Sequence, residues 1–158
     1  MRIGSYNFDF FGWTEKAKLV ELDSIDISHD PVRPELSNEF RKSKGRQIFG
    51  LQYKDEIQGV ICIASTDEIP TTIKELDLMS NENGTIAMAY TVWSLKKGAG
   101  KTIMEELLKY MKVKGNIETI MTLSPLTPMA THYHIRNGAR LISINPTTQN
   151  FEYKLWAM

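Results

Sequence analysis

The sequence predicts an α/β (α+β) fold, a mixed central sheet with flanking helices, and three observations predict it. From about residue 84 onward, β-rich segments and amphipathic helices alternate, which implies parallel pairing in that half. Earlier, two β-rich stretches over residues 47–53 and 57–65 are joined by the polar run Lys54-Asp55-Glu56, which implies an antiparallel hairpin. A length of 158 residues with 42% hydrophobic content suits one domain around one core, so residues 1–158 are read as a single domain.

Each element has its own justification. Thr14 stands as an N-cap for a short helix over 15–22, with Ala17, Leu19 and Val20 as apolar contacts. Asp30-Pro31-Val32-Arg33-Pro34 is a turn or extended segment, because each proline restricts the residue before it. Residues 35–42 give a second short helix and 71–79 a helix or helical turn. Small and β-compatible residues make 84–93 a strand, which Lys97-Gly98-Ala99-Gly100 breaks. Residues 101–113 form an amphipathic helix with Ile103, Leu107, Leu108 and Met111 on one face. Gly115 and Asn116 end it, and 117–123 is the next strand. Thr127-Pro128 reads as a cap with proline in the first turn of a helix that stops at Asn137-Gly138. Strands over 139–144 and 150–156 complete the order. Met104, Met111, Met121 and Met129 are assigned to buried faces, and Trp93 to burial or the wall of a slot.

Composition excludes several classes. Nineteen basic and nineteen acidic residues cancel, which argues against a nucleic-acid binder but leaves room for a small basic phosphate pocket. The single cysteine, Cys62, allows no intramolecular disulfide and sits in an apolar run, as a small buried hydrophobe does. No apolar run reaches the roughly 18 residues of a membrane span. Arg2 is followed by Asn7 and Asp9 rather than an apolar stretch, so no secretory signal is read and a cytoplasmic setting is expected.

The strongest motif is a strand, a glycine loop and a helix in succession. The first turn of a helix has N–H groups without intrahelical partners, and its dipole favours anions. Glycines let a pyrophosphate approach the backbone. The expected ligand set is Lys96, Lys97, Gly98, Ala99, Gly100, Lys101 and Thr102. A P-loop would need glycine where Leu95 stands, which disfavours nucleotide hydrolysis.

Leu95-Lys96-Lys97-Gly98-Ala99-Gly100 resembles the loop of GNAT acyltransferases, Gln/Arg-x-x-Gly-x-Gly/Ala, with Leu95 in place of the polar first residue. The family's Asn-x-x-Ala-x-x-x-Tyr-x-x-x-Gly pattern falls on Thr127, Ala130, His134 and Gly138. Thr122-Leu123-Ser124-Pro125 and His134-Ile135-Arg136-Asn137-Gly138-Ala139 further resemble the GNAT-like catalytic domain of malonyl-CoA decarboxylase. Weaker matches are His29-Asp30-Pro31-Val32 and Ile63-Ala64-Ser65-Thr66-Asp67-Glu68-Ile69. That family's insertion between its serine and histidine segments is missing, since nine residues separate Ser124 from His134.

The resemblance implies a GNAT-like acyl-CoA-binding fold with coenzyme A or acyl-CoA as substrate and no metal. It implies that the backbone of Tyr90 and Val92 meets the pantetheine, and that Ser124 and His134 are catalytic. His134 is then the donor or general acid, in its ordinary titration range, and Ser124 its polar partner. Tyr133 is an alternative acid but out of register, His132 is a surface residue, and His29 is a weaker candidate for the site. The reaction implied is malonyl-CoA to acetyl-CoA and carbon dioxide. Two alternatives stay open: an N-acyltransferase with Asp67 or Glu68 as base, and a non-catalytic acyl-CoA-binding module. The expected partner is a small-molecule acyl-CoA, with no nucleic acid and no membrane, and homodimerisation stays open.

Overall fold

The computed structural model describes residues 16–156. Its sheet begins with β1 (Lys18–Leu22), β2 (Arg46–Tyr53), β3 (Glu56–Thr66) and β4 (Ile86–Ser94), antiparallel neighbours in that order. β5 (Thr119–Thr122) then lies parallel to β4. β8 (Thr148–Tyr153) runs antiparallel to β5, to the short β6 (Ser124–Pro125) and to β7 (Arg140–Ile144). The helices are α1 (Asn38–Lys42), α2 (Ile73–Met79), α3 (Ala99–Lys114) and α4 (Pro128–Arg136). Among the described residues no helix is long and apolar enough to cross a membrane.

Alternation along the strands produces two cores. On one face Ile103, Leu107 and Met111 of α3 pack on Phe49, Ile61 and Ile63. On the other, Leu76 of α2 and Phe40 of α1 pack on Ile48, Cys62 and Tyr90. The hairpin and the parallel β4–α3–β5 crossover match the expectation, but parallel pairing stops there: β7, after α4, pairs only with β8, and β8 runs antiparallel to β5, β6 and β7 because it returns as the second arm of a hairpin.

One expected element is different. Residues 18–22 form strand β1, not a helix, and Thr14 and Glu15 lie outside the described residues. Ala17 and Leu19 join the α3-side core while Leu22 joins the opposite one, a two-residue periodicity. Pairing with the edge of β2 supplies hydrogen bonds that an isolated helix of about two turns lacks, so tertiary context overrides local propensity. A second correction concerns Met129, which is 83% exposed rather than buried.

The feature that positions the site is a β-bulge. Ile63 faces Ala89 and Cys62 faces Thr91, so Tyr90 is the extra residue on β4. A bulge bends its strand and strengthens the local twist. The β4–β5 ladder accordingly ends at the Leu123 N–H to Ala89 carbonyl bond of 2.8 Å, and the strands diverge beyond it.

Candidate active site

A cleft of about 550 Å³ opens where β4 and β5 part. One wall is Ala89–Ser94 of β4, the other Leu123–Pro125 and the α4 residues Ala130, Tyr133 and His134, with Pro31 and Val32 completing it. Its lining among the described residues holds no lysine, arginine, aspartate or glutamate.

Ser124 and His134 both line this cleft, but they are not each other's partners. The buried Ser124 hydroxyl donates to Thr122 Oγ1 at 2.7 Å, and the Phe151 N–H donates to the same oxygen at 3.0 Å. His134 Nδ1 lies 2.7 Å from the Tyr153 hydroxyl. The His134 ring packs between Tyr133 and Phe151. Burial pushes its pKa down to about 4, so the expected titration near neutrality does not hold and the imidazole is neutral. The buried Tyr153 phenol is pushed up, so it stays a neutral hydroxyl. Thr127 places this helix: its hydroxyl accepts from Ala130 N–H at 3.2 Å, and Pro128 fills the first turn.

At the other end, α3 begins at Ala99, not Lys101, with Gly98 as N-cap at φ 85°. Two of the expected phosphate donors are already used. Ala99 N–H bonds the Lys96 carbonyl at 3.1 Å, and both the N–H and the hydroxyl of Thr102 are 3.3 Å from the Gly98 carbonyl. Gly100 and Lys101 carry the first-turn N–H groups that have no carbonyl within the helix to bond. Lys96, Lys97 and Lys101 are exposed, and Lys96 lies 3.6 Å from Glu56. Gly100 lines the cleft and is also where Tyr133 fits: a Cβ there would stand 2.9 Å from Tyr133 Cε1. The Tyr133 hydroxyl donates to the Gly100 carbonyl at 2.6 Å, joining the two ends of the cleft.

Backbone alternation settles the β4 residues. Leu95 N–H bonds β3 at the Gln58 carbonyl, so the polar groups of Val92 turn the opposite way, toward the cleft. Tyr90 differs from expectation. Its carbonyl accepts from Arg33 Nε at 2.8 Å, and its ring packs edge-on against Phe40 on the far face. The Trp93 indole N–H and the Tyr90 hydroxyl are buried without a partner among the described residues. Three weaker candidates fall outside the cleft. His29 is exposed and pairs with Asp26 at 3.5 Å, Asp67 accepts from Asn81, and Glu68 is exposed.

Sequence reasoning missed Thr122, Tyr153, Asp30 and Arg33. Thr122 is two residues before Ser124 and so shares its face of the strand, a signal that was present. Tyr153 is 19 positions from His134 and meets it only through the β5–β8 and α4 packing.

The same fold occurs in solved structures. The loading GNATL domain of CurA from Lyngbya majuscula superposes with TM-score 0.68 at 18% identity, over 89% of this chain and 98% of that one. The fold is GNAT-like. The GNAT-like decarboxylase GphF, in complex with isobutyryl-CoA, gives 0.69 at 11% identity over 88% and 100%. Malonyl-CoA decarboxylase from Cupriavidus metallidurans gives 0.51 at 17% identity over 70% of this chain, which spans only 31% of that longer protein. An acetyltransferase from Bacillus subtilis in complex with CoA also shares the fold. No protein-family model matches the chain, and no curated protein matches its sequence.

Proposed function

We propose that the chain is a single-domain, acyl-CoA-using enzyme that decarboxylates a carboxyacyl-CoA, malonyl-CoA to acetyl-CoA and carbon dioxide. The observation that carries this reading is the uncharged cleft with Ser124 and a neutral His134 at its inner end. Amine acylation needs a base beside the entering amine; no carboxylate lines the cleft among the described residues, and burial leaves His134 a weak base. Decarboxylation needs none. The bond between the α-carbon and the carboxylate breaks, its electron pair enters the thioester to give an enolate, and a proton from water completes acetyl-CoA. GNAT-like neighbours with a decarboxylase name support the reaction, and the acetyltransferase that holds CoA supports only the use of CoA.

In this mechanism the pyrophosphate lies against the Gly100 and Lys101 N–H groups, with Lys97 and Lys101 as counter-charges. The Val92 backbone holds the pantetheine. With Nδ1 accepting the Tyr153 proton, His134 carries its own proton on Nε2 and donates it as a hydrogen bond to the enolate oxygen. A fixed neutral donor in the cleft stabilises charge that develops only in the transition state. Ser124 and Thr122 are two hydroxyls in series. A ligand oxygen above Ser124 takes its proton while Thr122 donates back to Ser124, so neither oxygen is stranded.

The test is incubation with malonyl-CoA and acetyl-CoA, with and without an amine, and product masses as readout. Acetyl-CoA from malonyl-CoA alone is the expected result. Free thiol from acetyl-CoA only with the amine would replace the reading with acyl transfer, and binding without turnover would leave a binding module.

A further inference from the structure

Where β4 and β5 part, two backbone carbonyls lose their strand partners: Tyr90 at the bulge and Leu123 just before Ser124. A buried carbonyl without a donor is costly. Here one side chain answers both. Arg33 Nε donates to the Tyr90 carbonyl at 2.8 Å and Nη2 to the Leu123 carbonyl at 3.1 Å. The guanidinium thus stands in for the next rung of the ladder. We propose that Arg33 is a positioning residue that sets the spacing of the two cleft walls, holding Ser124 on one and Thr91–Val92 on the other where the reaction needs them.

Arg33 is itself fixed from behind. Its N–H donates to Asp30 Oδ1 at 2.9 Å, and its carbonyl accepts from Arg41 Nη2 at 2.8 Å. Asp30 Oδ1 also accepts the Thr91 hydroxyl at 2.8 Å, so the loop and β4 share one anchor. Asp30 Oδ2 pairs with Arg41 at 2.8 Å, both side chains fully buried. Among the described residues Arg33 has no ion pair of its own. Burial lowers its pKa below the usual arginine value, although the group stays charged. Its polar contacts are therefore directed at the two strands rather than at a counter-ion. Arg33 does not line the cleft, so it acts through Leu123 and Tyr90 and not on the ligand. A planar fork can span two carbonyls, and a lysine ammonium on a flexible stem does not reproduce that geometry.

The proposal rests on the cleft being the acyl-CoA site, and its test separates the two. The full chain is compared with Arg33→Lys and Arg33→Met for malonyl-CoA turnover and for CoA affinity by calorimetry. Displaced walls lower kcat about 10- to 100-fold in both variants, while CoA affinity, to which Val92 contributes one backbone contact beside the α3 end, falls only about two- to fivefold. Wild-type kcat in Arg33→Lys overturns the proposal, because charge alone would then suffice. CoA affinity falling in step with kcat overturns it too, because that is general loss of structure. Arg33→Lys keeps the charge and most of the stem, so it serves where Arg33→Met does not fold. Amide ¹⁵N shifts give a readout that needs no turnover. Thr91 and Ser124 are expected to move in Arg33→Lys while Gly100 and Lys101 stay. If the parent binds CoA but releases no carbon dioxide, the reaction fails, and the shifts still decide: unmoved Thr91 and Ser124 amides refute the clasp.

Discussion

The two ends of the cleft are built on opposite principles. At the α3 end, the groups proposed to bind phosphate are backbone N–H donors and exposed lysines. At the β6–α4 end, Ser124 and His134 are buried and already bonded, to Thr122 and Tyr153. An exposed cation gains little per contact, because water and salt screen it. A buried neutral donor has its geometry paid in advance by folding, so its full strength falls on the reacting oxygen. Affinity and chemistry should therefore respond to different residues, and several experiments can break or sharpen that division.

The largest effect is expected at the buried end. His134→Ala should lower turnover about 10²–10³-fold, the usual loss for one oxyanion donor, with CoA affinity by calorimetry nearly unchanged. Unaltered kcat would end the division at once.

Acid should weaken the fold through the same side chain. The unfolded chain takes up a proton near pH 6.5, whereas the folded chain resists until about 4. Stability is thus complete above 6.5 and falls as the pH drops through 4, by at most about 3 kcal/mol. Urea denaturation at pH 7.5 and 4.5 should show this slope, and His134→Gln should flatten it.

Gly100→Ala should tie the two ends together. The added Cβ pushes on Tyr133 and breaks its bond to the Gly100 carbonyl, an overpacking cost of about 1–3 kcal/mol seen as a lower melting temperature. Gly98→Ala meets nothing within 4 Å and loses only by its positive φ, about 1–2 kcal/mol. Next, Tyr153→Phe should lower kcat about tenfold at unchanged KM, the worth of one buried hydrogen bond. The smallest effect belongs to Lys97→Ala, a loss of CoA affinity of about twofold to fivefold that shrinks in high salt, with kcat intact.

Much of this organisation was legible in the chain because it is local. The bulk of α3, its glycine cap and the Thr127-Pro128 start of α4 are set by neighbours within a few residues. His134 could be placed by register along one helix. Its protonation could not, since the rings that dehydrate it, Phe151 and Tyr153, come from a strand across the sheet. The same limit hid Arg33, whose two acceptors lie 57 and 90 residues away. It also misread β1, where the residues contain a helix-compatible pattern and the free edge of β2 decides.

The fully buried Asp30–Arg41 pair has a consequence for how a ligand arrives. Pro31 and Val32 can swing away from the cleft only if Asp30 gives up Arg41 and Thr91, and stranding such a charge costs roughly 3–5 kcal/mol. That wall is therefore out of place in fewer than about one molecule in a hundred at any moment. A ligand does not wait for a door there. On the proposed reading, an acyl-CoA would enter lengthwise past the α3 end, so branching near the thioester would slow its arrival before it affected any chemical step.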